Sequence, residues 1–194
     1  MPIKTRRGSR VITLVERLIA ALARLNTPLC ALARNLAATL IAVMTAIVLL
    51  QIVFRYALNN SLSWTEELAK TMMVWATMLV APWAYRMGAN VSIDLFVEAL
   101  PGKLRAVLGL LINLLVIWIA AVFFAESLAL WQRGVDMRSA TLPASMAIFY
   151  SVLPFGFGGM VLVGVELTLR QVAALLNPAR TYAVTVGRAP IADA

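Results

Sequence analysis

Four apolar runs, each about as long as a bilayer core is thick, leave this 194-residue chain few ways to fold. A helix needs about 20 mostly apolar residues to cross the ~30 Å hydrocarbon region. Segments at about 36–54, 68–85, 106–125 and 146–169 meet that requirement. The first holds no charge, and Gln51 is its one strongly polar residue. The second admits Lys70 and the fourth Glu166, each near an end from which a side chain reaches the headgroups. The expected fold is an all-α membrane protein with four transmembrane helices. With 62% apolar and 13% charged residues, the composition departs from that of soluble domains in the same direction.

The formal charge of +8 raises the question of nucleic acid, but its placement argues for topology instead. Seven Lys and Arg residues precede residue 35, three lie between the second and third runs, and three follow the fourth. The two remaining gaps hold Arg55 with Lys70, and Arg133 with Arg138. Thirteen cations thus fall on one face and four on the other, so the positive-inside rule puts both termini in the cytoplasm. No nucleic-acid surface is expected, and the partner implied by composition is the lipid bilayer.

Residues 1–34 form a basic segment ahead of the first crossing. Arg10, Arg17 and Arg24 recur every seven residues along one stripe, while Val11, Leu14, Val15, Leu18, Ile19, Leu22 and Leu25 fill the other side. That pattern predicts an amphipathic interfacial helix, separated from the first crossing at Pro28. The Arg6-Arg7 pair is followed by an apolar run too late and too long for a cleaved leader, so no cleavage is expected. Residues 171–194 form a cytoplasmic tail.

The chemistry is narrowed by two absences. With no histidine, the usual haem ligand, most zinc sites and His-based catalysis are lost, and one cysteine, Cys30, permits no intrachain disulfide. No cofactor or metal is expected, and the chain does not read as an enzyme.

The connections carry more. Asn59, Asn60 and Ser61 are turn formers, so the chain reverses there. Ser63 with Glu66 has capping-box spacing, and Glu66 with Lys70 has the favourable i,i+4 order. Glu67 is not needed by either. Tyr56 and Trp64 suit the interfacial aromatic belt. Arg86 complements a helix C-terminus, Gly88 stops it, and residues 91–100 read as a short surface helix carrying Asp94. In the fourth run Pro154, Gly156, Gly158, Gly159 and Gly164 indicate a packing surface or a kink.

Three stretches resemble a known family. FRYALNNSLSWTEELAK, then WAYRMGANVSIDLFVEALP, then MRSATLPASMAIFYSVLPFGF follow the order seen in the small membrane (DctQ-type) subunit of tripartite ATP-independent periplasmic (TRAP) transporters. The likeness covers roughly 36–170, with Asn90 at a position where the family often has histidine. It implies a subunit that scaffolds a large multi-helix membrane partner and helps dock a periplasmic substrate-binding protein in the bacterial inner membrane. The transport implied is sodium-coupled uptake of an organic acid. On that footing Arg55, Tyr56, Trp64, Glu66, Glu67, Arg86, Asp94 and Arg138 are candidate partner contacts. Trp75, Trp83 and Trp118 would face lipid or the large subunit. A stand-alone carrier or channel, a membrane redox subunit, and an anchor for another complex are the alternatives. The sparse charge at mid-helix argues against a transport path within this chain.

Overall fold

The computed structural model describes residues 6–60, 62–88, 102–139, 141 and 143–176, the side chains of 6–13, 102, 103, 105, 106, 174 and 176 excepted. Asp94, Asn90 and the expected surface helix, most of the tail, and Ser61 lie outside them. Among the described residues five helices follow in order: α1 (Arg6–Tyr56), α2 (Ser63–Arg86), α3 (Gly102–Gly134), α4 (Met146–Tyr150) and α5 (Val152–Leu176). Among the described residues the one β feature is an isolated antiparallel bridge between Arg138 and Ser145.

Pro28 does not divide the N-terminal segment from the first crossing, as its sequence position led us to expect. It lies inside α1, a single helix of 51 residues. Proline removes the bond to the carbonyl four residues earlier, that of Arg24, yet the helix runs through it. Thr27 Oγ1 donates to the Ala23 carbonyl at 2.6 Å. Residues 6–34 of the basic segment are therefore the first part of α1 and not a separate helix.

Among the described residues, three stretches are long and apolar enough to cross a membrane: Leu14–Tyr56, Val107–Gly134 and Met146–Ala173. The chain is a multi-pass membrane protein. The 24-residue α2, expected as the second of four crossings, is not among them. It carries Glu66, Glu67 and Lys70 in its first two turns, and Trp, Thr and Pro further on.

Connections follow local chemistry. Asn59 takes φ 50°, a left-handed conformation that asparagine tolerates, and the chain reverses between α1 and α2. Ser63 is the first residue of α2 and not the residue before it. The Leu62 carbonyl accepts from both the Thr65 amide (3.3 Å) and the Thr65 hydroxyl (2.6 Å). Gly88, at φ 68°, donates its amide to the Tyr85 carbonyl at the end of α2. The fourth run is broken at Ser151 into α4 and α5. Pro154 explains the break, because it has no N–H for the Tyr150 carbonyl and tolerates only the first turn of a helix.

Two compact units are present. The first gathers the described residues of Met1–Leu29, Ala84–Ile119 and Met160–Ala194, and the second those of Cys30–Trp83 and Ala120–Gly159. In the second, buried positions include the small Ala37, Ala76, Ala120 and Ala147 beside Pro82 and Val152. Phe123 stacks on Phe157 with centroids 5.2 Å apart, and Trp75 Nε1 donates to the Phe149 carbonyl at 3.0 Å. A Cβ on Gly156 would stand 2.9 Å from the Met78 carbonyl oxygen, and one on Gly159 would stand 2.8 Å from Pro82. In the first unit the buried residues include Val163, Leu167 and Ala173, but also Asn26, Asn113 and Glu166. Large apolar side chains such as Ile41, Leu49, Leu115 and Trp118 point outward. Small or polar inside and large apolar outside is the arrangement of a protein whose solvent is lipid.

Candidate functional site

In the first unit, the acid read as a headgroup-reaching end residue is its most buried side chain. Glu166 on α5 is fully enclosed. One carboxylate oxygen takes Arg86 of α2 at 3.1 Å and Arg170, one turn along α5, at 2.5 Å. The other accepts from Asn26 of α1 at 2.6 Å. Both arginine side chains are four-fifths covered. An isolated carboxylate would be expelled from such a place, so the two guanidiniums and the amide are what allow it. Arg86 is thus more than a complement to the dipole of α2: it joins α2 to α5. The sequence signals were the i,i+4 spacing of Glu166 and Arg170 and an acid inside an otherwise uncharged apolar run.

A second polar cluster lies in the same unit. The Tyr85 hydroxyl donates to Asn113 Oδ1. Asn113 Nδ2 in turn donates to the Gly164 carbonyl at 3.1 Å and to Thr168 Oγ1 at 2.6 Å. The Asn113 side chain thereby uses its acceptor and its donors within the protein.

The second unit holds most of the candidate contacts. Glu67 accepts from the Ser139 and Thr141 hydroxyls, and from the Thr141 amide at 3.1 Å. Its carboxyl is held below the ordinary value of 4.5, first by the Ser139 hydroxyl and then by Thr141. Glu66 is exposed and stands 4.0 Å from Lys70, a weak surface pair. Arg55, Tyr56, Trp64 and Arg138 are exposed and take no part in the Glu67 cluster, although Arg138 is bridged through its backbone to Ser145. Ser145 closes the same loop by donating to the Gly134 carbonyl at 2.8 Å and capping α4.

Glu67 therefore ties the loop after α3 to the start of α2. Glu67→Ala is expected to speed amide exchange at Thr141 markedly while leaving the helices intact. A depressed carboxyl contributes stability that is present above its unfolded value and is lost as pH falls through the lower folded value. The loop should stay protected at neutral pH and open only below the ordinary value of 4.5. Exchange mass spectrometry across an acid series checks this, and an unchanged Thr141 amide in the variant would contradict it.

Comparison with known proteins places this arrangement. Residues 44–174 match the family described as tripartite ATP-independent periplasmic transporters, DctQ component. The chain belongs to that family. A chain assigned as a TRAP transporter small permease protein in Haemophilus influenzae is 26% identical over 117 residues, covering 59% of this chain and 73% of the relative. The sialic acid TRAP transporter small permease protein SiaQ of Vibrio cholerae is 27% identical over 138 residues, 71% of this chain and 76% of its own. The sialic acid TRAP transporter permease protein SiaT of a second Haemophilus influenzae strain is 35% identical over 81 residues, but these are only 13% of that longer chain. This DctQ protein is thus a TRAP small permease component, and part of it is similar to a minor part of a longer permease chain.

Proposed function

We propose that this DctQ chain is a scaffold subunit that joins a large multi-helix TRAP permease and helps dock a periplasmic substrate-binding protein, in sodium-coupled uptake of an organic acid. The observation that carries this reading is the internal engagement of two buried polar side chains, Glu166 and Asn113. Glu166 is engaged by Arg86, Arg170 and Asn26, and Asn113 by Tyr85, Gly164 and Thr168. A transport path offers ionisable or unwound elements to its cargo, whereas these groups are already committed to holding helices together. The match to part of the longer SiaT chain supports a membrane partner for such a scaffold.

In this reading α2 is a fourth crossing, and the basic first turns of α1 lie at the cytoplasmic interface of the inner membrane with both termini inside. Arg55, Tyr56, Trp64, Glu66, Glu67 and Arg138 then face the periplasm as the docking region. Co-expression with the large permease and the binding protein tests it. The chain is expected to co-purify with the large permease, and Glu66→Lys with Arg138→Glu should weaken capture of the binding protein without loosening the membrane pair. Failure to co-purify with any large permease would overturn the proposal.

A further inference from the structure

In the second unit α1 and α2 leave a groove of about 460 Å³, within the size range of small-molecule sites. On α1 it follows one helical stripe from Arg34 through Ala38 and Ile41 to Met44. Arg34 lies over the Trp83 ring, 5.7 Å from its centroid, so the Val80 end of α2 borders the Arg34 end and Met73 borders the far end. Ala37 and Ala76, both buried, contribute only a methyl group each, which leaves the space open.

Ten residues of helix from Arg34 to Met44 span about 15 Å. That is half of the ~30 Å hydrocarbon core, the depth of one leaflet. Arg34 falls just before the first apolar run, where a guanidinium and an indole suit the headgroup level. Thr77 is the other polar lining residue, and its hydroxyl donates to the Met73 carbonyl at 2.8 Å, so it adds little polarity to the walls. The groove therefore has one cation at its mouth and apolar walls one leaflet deep.

We propose that this groove binds a phospholipid, with one acyl chain along the α1–α2 stripe and the phosphate on Arg34. The inference rests on the proposed placement of that end of α1 at the cytoplasmic interface. A helix of a protein partner would need an acid at one level to answer Arg34. A phospholipid carries its phosphate at that level by construction, and an anionic one brings no competing ammonium.

Native mass spectrometry of the full chain titrated with dioleoyl phosphatidylglycerol tests the site. Ala38 is exposed, so Ala38→Phe fills the groove without entering the buried face. The native chain is expected to retain one phosphatidylglycerol that Ala38→Phe does not retain. Arg34→Gln should bind it about tenfold more weakly, as loss of a charge-assisted contact implies. Retention by Ala38→Phe equal to the native chain, or no retained lipid in the native chain, would overturn the proposal. So would loss of co-purification with the large permease in Ala38→Phe without loss of lipid, which would mark the groove as a helix seat. A chain that binds phosphatidylglycerol but joins no large permease keeps this site and removes the scaffold reading, and the converse result does the opposite.

Discussion

Replacing Glu166 by alanine is expected to destabilise the first unit by about 3–5 kcal/mol, the usual cost of breaking a buried ion pair from one side. The change removes the carboxylate acceptor of Asn26, leaving its 3.4 Å bond to the Leu162 carbonyl, and takes the acid from between Arg86 and Arg170. Like charges would then share a covered site, and the buried Asn26 amide would lose its carboxylate partner. Glu166→Gln should fall between native and alanine, because an amide retains the volume and can still accept from Asn26 but no longer offsets either guanidinium. Thermal unfolding of the purified chain measures the order, which should be native, then glutamine, then alanine. Exchange at residues near Asn26 should rise in step, since that residue joins α1 to the cluster. An alanine variant within about 0.5 kcal/mol of native, the range of ordinary surface changes, would contradict the reading.

A leucine at Gly156 is expected to cost about 3 kcal/mol or more through overpacking. The nearest obstacle to its Cβ is the Met78 carbonyl oxygen at 2.9 Å, a backbone atom that cannot swing aside. The helices α2 and α5 would have to separate within the second unit. Gly158 makes the control. A Cβ there would meet only the edge of the Phe124 ring at 3.3 Å, and a ring can yield by a few tenths of an ångström. Gly158→Ala also gains up to about 1 kcal/mol of helix propensity, so it should be near neutral or stabilising. Comparable losses in Gly156→Leu and Gly158→Ala would mean that close backbone approach is not what glycine provides at 156.

Local features of this protein were legible in its sequence, and features that depend on facing helices were not. Long apolar runs, the reversal at Asn59, the end of α2 at Gly88 and the Glu66–Lys70 pair are each settled within a few residues. Glu166 was misread because its distance from the end of the run said nothing about which way the side chain turns. Arg86 and Asn26, 80 and 140 residues away in sequence, decide that it turns inward. Pro28 was read as a divider because proline weakens a helix, yet α1 runs through it without a break. The capping box at Ser63 failed by one residue, since Leu62 and Thr65 make the first contacts of α2. Glu67 stood out only as an acid without a local role, and the groups that give it one lie on the loop after α3.

The central claim is that this chain supports transport without conducting it. Uptake of organic acid by sealed vesicles, with subunits added singly and together, tests that most directly. Vesicles holding this chain alone are expected to show no uptake above protein-free vesicles, and vesicles holding it with the large permease should become active when the binding protein is supplied. Uptake by this chain alone, or full activity of the large permease and binding protein without it, would contradict the account.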